Sequence, residues 1–471
     1  MRAGESRRAA IGVAGRRAMS SGVKGLAVTR PLNELALTEA AEMIAAGLIT
    51  SEELVRACLD RIASREDDIH AWAALDPEHA LAQARDCDSG PVRGPLHGVP
   101  IGVKDVLDTV DFPTQMGSPI FVGHQSRADA SCISMLRTAG AVILGKTVTC
   151  EFAGIAPGPT RNPIDRERTP GGSSSGSGAA LADYMVPLAL GTQTGGSVLR
   201  PASFCGVFGF KPTFGTINRA GLKFAAESLD TIGLLARHLA DITHCLHILT
   251  NSTRPVSFAA LDCPRIGICR THLWEKAQPE TRAALDYAAR LAARAGANVE
   301  EFTLPPSFVR LSETRETINN VERSRSLAWE WANHRQQISA QMFQTIQIGQ
   351  SISAEQYHAA LRLAERSRQE LDQILDSFDI LLAPCVNGEA SVGLAYAGDP
   401  SFQGLWTLLH VPTLSVPAIR GPNGMPVGIQ VIARRFSDYS LLNCAQWLVL
   451  KASLDGTKSM TEVTDADLKR D

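Results

Sequence analysis

Two stretches of this sequence carry residue types that together could do nucleophilic chemistry. In "GTQTGGSV", Gly191 to Val198, Ser197 follows Gly195 and Gly196 after an apolar run. A tight turn there could aim several consecutive backbone N–H groups at one point while presenting the hydroxyl. Such a nest serves as an oxyanion hole. Serine is a poor nucleophile until a base takes its proton, and a desolvated lysine whose pKa has fallen can be that base. Lys104, which closes the apolar run Val99 to Val103 in "GPLHGVPIGVKDVLDT", is the candidate. A salt bridge to Asp105 or another acid explains the same lysine, and spacing alone leaves the two readings level.

A third stretch, "TPGGSSSGSGAA" from Thr169 to Ala180, would pass for a flexible linker by itself. Its "GSSSG" also satisfies the nucleophile-elbow pattern with Ser174 at the centre. That mechanism needs an apolar strand just before the serine and a later acid and histidine. The preceding "DRERTPG" is polar, but histidines at 238, 244, 247, 272, 334, 358 and 410 follow, so a Ser-His-Asp esterase using Ser174 stays as an alternative. "GAVILGKT", Gly140 to Thr147, matches the phosphate-loop expression letter for letter. Its four variable residues are Ala-Val-Ile-Leu, which reads as a strand rather than a loop of amides turned to a nucleotide.

The elements around these residues alternate. Apolar spacing in "LTEAAEMIAAGLITSEELVRACLDRIASRE" predicts two helices split at Gly47, the second opened by a Thr50/Glu53 capping box. From Asp129 the order is helix, strand "AVILG", the serine-rich stretch, helix "SGAALADYM", strand "VPLALGT" and the glycine turn. This alternation predicts an α/β sheet with parallel strands, and a linker inside it would cut the sheet in half. Residues 278 to 375 read as mostly helical, after which "FDILLAPCV", "PTLSVPAI" and "PVGIQVIA" return to strand character. One large domain follows, with no internal repeat.

Composition bounds the partners. With 471 residues, 46 basic and 49 acidic side chains and a net charge of −3, the chain has no electrostatic footprint for nucleic acid or an anionic membrane. No apolar run approaches the roughly 20 residues of a membrane span. The ten cysteines show no metal-site spacing and read as mostly buried thiols of a reducing, cytoplasmic setting. Residues 1–25 form a basic extension, either a plain one or a targeting peptide, and residues 456–471 a polar tail; the domain between spans 26–455. The oligomeric state is open to a homo-oligomer.

At these residues the sequence resembles the amidase signature family. "GVPIGVKDVLDT", "TPGGSSSGSGAA" and "PLALGTQTGGSVLRPASFCGVFGFKPT" stand in the family's order and spacing, in a core of about 95–235, with weaker likeness from about residue 32 to 432. The resemblance implies a large mixed twisted sheet covered by helices and a Ser-cisSer-Lys triad. By position Ser197 is then the nucleophile, Ser173 the bridging serine on a cis peptide, and Lys104 the base, while the amides of Thr194, Gly195, Gly196 and Ser197 hold the oxyanion. It implies acyl transfer from a small amide, carbamate, anilide or ester to the serine and then to water, with no metal or organic cofactor.

Some positions depart from the family pattern. Gln193 stands where many members carry aspartate, which weakens any claim that a charge orders the loop; Ser175 replaces a glycine, and Arg200 sits farther from the nucleophile than usual. His410 occupies a place often held by a small residue, and with Gln193 and Ser174 it is a candidate lining residue of the substrate pocket. A structural histidine is the alternative at 410. The leading functional expectation is a free-standing C–N hydrolase. The rival within the fold is the glutaminase subunit of a tRNA-dependent amidotransferase, and a third class is a non-catalytic binding module that kept the fold.

Overall fold

Strands buried on both faces read as unbroken apolar runs, and the runs found in the sequence meet in one sheet. The computed structural model describes residues 30–252 and 263–454, with side chains to residue 451. The basic extension 1–25 and the tail 456–471 lie outside the described residues. The strands are β1 (Trp72–Leu75), β2 (Pro100–Lys104), β3 (Val142–Thr147), β4 (Leu188–Gln193), β5 (Phe208–Lys211), β6 (Thr231–Ala236), β7 (Arg265–Cys269), β8 (Asn298–Phe302), β9 (Ile380–Pro384), β10 (Thr413–Arg420) and β11 (Pro426–Ile432). They form a single 11-stranded sheet in the order β1-β3-β2-β4-β6-β5-β10-β11-β9-β7-β8.

The sheet is mixed. β3, β2 and β4 run parallel, as do β9, β7 and β8, and the strands between and at the β1 edge pair antiparallel. Every residue of β2, β3, β4 and β6 is buried. The chain thus forms the single mixed α/β domain expected. The entry helices Leu37–Ala45 and Ser51–Ile69 are present, and the second opens with the Thr50/Glu53 capping box, a feature that contributes about 1 kcal/mol. The region 278–375 is mainly helical but also contains β8, whose charged sequence "NVEEF" and half-exposed residues mark an edge strand rather than a buried one.

The serine and glycine run is packed inside the fold. It leads into the helix Ser175–Ala182, which begins two residues earlier than the sequence suggests and is almost wholly buried. Small residues let this helix press on its neighbours: a Cβ on Gly176 would collide with the backbone at Ala71 and Val148, and one on Gly178 would lie 3.1 Å from Pro201.

The phosphate-loop match resolves as structure. β3 runs straight through it, and Lys146 Nζ lies 3.2 Å from Asp105 Oδ1 and donates to Thr114 Oγ1 at 2.7 Å. Asp105 also accepts from the Gln115 amide at 3.0 Å. The acid beside Lys104 is therefore engaged by a different lysine. Removing one member of a buried ion pair leaves the other charge uncompensated, which costs about 3–5 kcal/mol. Lys146→Ala is expected to lose stability of that order in urea unfolding monitored by circular dichroism, whereas a surface-type loss below about 1 kcal/mol would show the pair to be dispensable.

Candidate active site

β2 and β4 are parallel neighbours, in register from Ile101 opposite Leu188 to Val103 opposite Leu190. Their carboxyl ends therefore deliver Lys104 and the glycine turn to the same place, where ligands bind in sheets of this kind. The serine loop joins them from the side: the Ser174 amide donates to the Ser197 carbonyl at 3.2 Å, and the Cys150 amide to the Ser173 carbonyl at 3.1 Å. The Gly172–Ser173 peptide is cis.

Lys104 is completely buried and no carboxylate pairs with it among the described residues. Its Nζ lies 2.7 Å from Ser173 Oγ, 2.9 Å from Thr192 Oγ1 and 3.3 Å from the Thr192 carbonyl. Burial lowers its pKa to about 7, against the weaker opposing pull of Cys150 and Asp230 and with help from the Arg323 and Arg200 charges. As an ammonium it has three hydrogens for these three oxygens. As an amine it keeps two, enough for Thr192, and turns its lone pair to the Ser173 hydroxyl.

The turn after β4 is held from behind by a neutral side chain. Gln193 Oε1 accepts from the amides of Val198 and Leu199 at 2.8 and 3.0 Å, and Gln193 Nε2 donates to Thr407 Oγ1 at 3.0 Å. Thr407 Oγ1 in turn donates to the Gly195 carbonyl at 2.7 Å. The next four amides back, those of Thr194, Gly195, Gly196 and Ser197, make no hydrogen bond within the described residues. Gly196 has no room for a side chain, because a Cβ would collide with Gln403 Oε1. The Thr194 hydroxyl is anchored on Asp230, whose other oxygen accepts from the amides of Ala225 and Ala226.

The turn opens on a cavity of about 140 Å³ lined by Thr194 to Ser197, Arg200, Arg315, Glu316, Arg323 and Met342 among others. Lys104, Ser173, Ser197 and the amides of Thr194 to Ser197 are thus brought together. Gln193, Ser174 and His410 are absent from the lining. Gln193 instead orders the turn, so an uncharged amide does the work expected of a carboxylate. Ser174 Oγ is 3.3 Å from the Thr192 amide and 3.4 Å from its carbonyl, with no histidine among its partners. The chain before it is loop rather than strand. Ser175 and Ser177 likewise donate to the Val148 and Leu190 carbonyls.

His410 is packed away from the cavity. Its ring stacks on Phe214 with centroids 4.0 Å apart, and Nε2 lies 2.8 Å from the Ser228 carbonyl and 3.1 Å from Arg368 Nη2. Burial first, and the Arg368 charge next, hold its pKa down at about 2. Among the described residues no group of three or more His, Cys, Asp or Glu side chains is placed to hold a metal ion. All ten cysteines are free thiols, nine of them buried and Cys263 exposed.

Sequence reasoning missed Thr192, Asp230, Thr407, Arg315 and Arg323. Thr192 lay inside the quoted motif and carried its own signal, whereas the arginines sit on the helix Leu311–Ser326, read only as a charged run.

Comparison with known proteins agrees with this architecture. The family model described as Amidase matches residues 53–442. A glutamyl-tRNA(Gln) amidotransferase subunit from Chloroflexus aggregans is 35% identical over 87% of this chain and 95% of that protein. A crystal structure of an amidase superposes with a TM-score of 0.80 at 30% identity, covering 88% of this chain and 99% of that one. The peptide amidase from Stenotrophomonas maltophilia gives 0.78 at 27%, covering 90% and 98%. With a matched family model across most of its length and a site assembled at the same signature, the chain belongs to the amidase family.

Proposed function

We propose that the protein is a serine hydrolase that cleaves C–N bonds through an acyl-enzyme, with Ser197 as nucleophile, Ser173 as proton relay and Lys104 as base. The observation that carries this reading is the 2.7 Å contact between Ser173 Oγ and a fully buried lysine whose pKa is brought down to about 7. A lysine poised near neutrality can accept and return a proton within one catalytic cycle.

In the first half-reaction neutral Lys104 takes the Ser173 proton as Ser173 takes that of Ser197. Ser197 Oγ then bonds to the substrate carbonyl carbon, and the oxyanion is received by the unengaged amides of Thr194 to Ser197, fixed donors that need no rearrangement. The proton returns along the same path to the leaving nitrogen as the C–N bond breaks. Water repeats the sequence, so amide and water become acid and amine. An activated ester or carbamate meets the same requirements. Ser174, held on Thr192, fits a supporting role better than that of an elbow nucleophile. The buried free thiols suit a reducing compartment.

A second reading is favoured by the curated relatives, which carry the name of an amidotransferase subunit. In that case the same triad would release ammonia from glutamine only within a complex. Turnover of simple amides by the purified chain alone supports the free-standing hydrolase; ammonia release that begins only on adding partner subunits and charged tRNA overturns it.

Ser197→Ala is expected to lower kcat by roughly 10³-fold or more, with an unchanged circular dichroism spectrum. Retained turnover would remove Ser197 from its role. The pH dependence follows from Lys104. Because only the neutral amine is a base, and its fraction grows as pH rises through about 7, kcat/KM should climb with an apparent pKa near 7 and then level. Lys104→Arg, which cannot give up its proton, should abolish this limb together with the activity, and a profile flat from pH 5 to 9 in the wild type would exclude Lys104 as the base.

A further inference from the structure

The cavity beside Ser197 is strongly basic for its size. Arg200, Arg315 and Arg323 line it, and Glu316 is the carboxylate among its lining residues. These arginines are 5%, 8% and 4% exposed, so they are largely removed from water. Arg315 is tied to Glu316. Neither Arg200 nor Arg323 has a carboxylate partner among the described residues. Arg200 spends Nε on the Ala397 carbonyl and Nη2 on the Gly172 carbonyl, both at 2.6 Å, and its buried Nη1 has no partner. Arg323 has one hydrogen-bond acceptor, the Phe152 carbonyl at 2.9 Å from Nη1.

Buried charges are ordinarily paired, and a guanidinium matches a carboxylate in shape and charge. Burial lowers the pKa of Arg200 and of Arg323, yet an arginine does not lose its proton in a protein. Asp230, Glu316 and Glu151 act on the Arg323 charge and Asp399 on that of Arg200 only from beyond ion-pair distance, which leaves both open to a closer anion in the cavity. Its distance from the reaction is short: a Cβ on Gly195 would stand 3.2 Å from Arg315 Nη1, and one on Gly196 3.0 Å from Arg200 Nη1. The arginines thus touch the turn that receives the oxyanion. The cavity, about 140 Å³ and open to solvent, has room for a carboxylate beside the turn.

We propose that the substrate is a small amide carrying a carboxylate within a few bonds of the scissile carbonyl, bound by Arg315 and Arg323 with the free Nη1 of Arg200. The proposal rests on the hydrolase reading above and narrows it. It also sets the substrate apart from an α-amino acid amide, because three arginines in the lining face a single carboxylate, Glu316, so the cavity favours an anion over an ammonium group. Arg315, Asn319 and Arg323 follow at i, i+4 and i+8 on one helix, so one face of Leu311–Ser326 presents them together.

The test compares matched amides on the purified full chain. Succinamate against butyramide places the carboxylate on the acyl side, N-acetylglycine against N-ethylacetamide places it on the leaving side, and glutamine adds the ammonium. An acid amide is expected to exceed its neutral match in kcat/KM by roughly tenfold or more. Arg323→Gln or Arg315→Gln should collapse that ratio mainly through KM, with Lys at either position restoring part of it. Neutral amides equal to the acids, or glutamine preferred over succinamate, would overturn the proposal while leaving the hydrolase intact.

Binding of succinate to Ser197→Ala, followed by calorimetry, separates the two claims. Binding lost on adding Arg323→Gln supports the anion site even if the wild type hydrolyses none of these amides, in which case the hydrolase reading falls instead. No binding of succinate in a folded Ser197→Ala protein counts against the anion site directly.

Discussion

An amine taken out of water without a carboxylate beside it is the constraint around which this molecule is arranged. Lys104 could recover its charge cheaply if Asp105 or Asp230 came within ion-pair distance, and the fold keeps both occupied elsewhere. Asp105 is met by Lys146 and the Gln115 amide. Asp230 is met by Thr194 and two backbone amides, and burial raises its own pKa. Desolvation consequently outweighs attraction, and Lys104 is left poised near pH 7. A second buried lysine, Lys211, is brought down to about 7 by burial in the same way, but its Nζ donates to the Val411 and Pro212 carbonyls and meets no serine. A low pKa alone is therefore no catalytic signature; the hydroxyl at 2.7 Å from Lys104 makes the difference.

Glycine serves close approach in this site more than freedom of movement. A Cβ on Gly191 would stand 2.7 Å from Ser174 Oγ, and those on Gly176 and Gly196 would strike backbone or the Gln403 amide. The serines between them are spent on fixing the loop: Ser174 on Thr192, Ser175 on Val148, Ser177 on Leu190 and on Thr147. A run with linker composition is rigid here because each small residue has a neighbour pressed against it. Composition counts residue types and carries no trace of those neighbours.

Much of the fold was legible because its central strands are buried on both faces and read as unbroken apolar runs. The sheet edges were not: β1 is four residues long and β8 carries two glutamates, so neither shows a strand period. Ser197 and Lys104 stood out as candidates by type and placement, and Ser173 through the family resemblance. The open choice between Lys104 as base and Lys104 paired to Asp105 had a clue within the sequence. Successive side chains of an extended strand point to opposite faces, so adjacent residues there are poor ion-pair partners, whereas Lys146 lies on the neighbouring strand. Gln193 misled for the opposite reason. Its type argued only against a charge ordering the loop, and the two acceptor lone pairs of its neutral carbonyl oxygen order it instead.

The strand-end site and most of the charged cavity lining come from different parts of the chain. Lys104, Ser173 and the unengaged amides come from residues 104 to 197, with Lys104 and the glycine turn set at the ends of the neighbouring strands β2 and β4. Arg315, Glu316 and Arg323 come from a helix more than a hundred residues later, which is fastened by hydrogen bonds such as Arg323 Nη1 to the Phe152 carbonyl and Ser228 to Glu322 and, among the described residues, makes none to β2 or β4. Gln193 and Thr407 join the turn to a third segment, the helix Ser401–Leu408: one end of the glutamine holds the turn's amides, and the other reaches the threonine that supports Gly195. A change that moved Thr407 would therefore be felt at the turn, whereas Arg315 and Arg323 spend their hydrogen bonds on Glu316 and the Phe152 carbonyl and leave the turn's own in place.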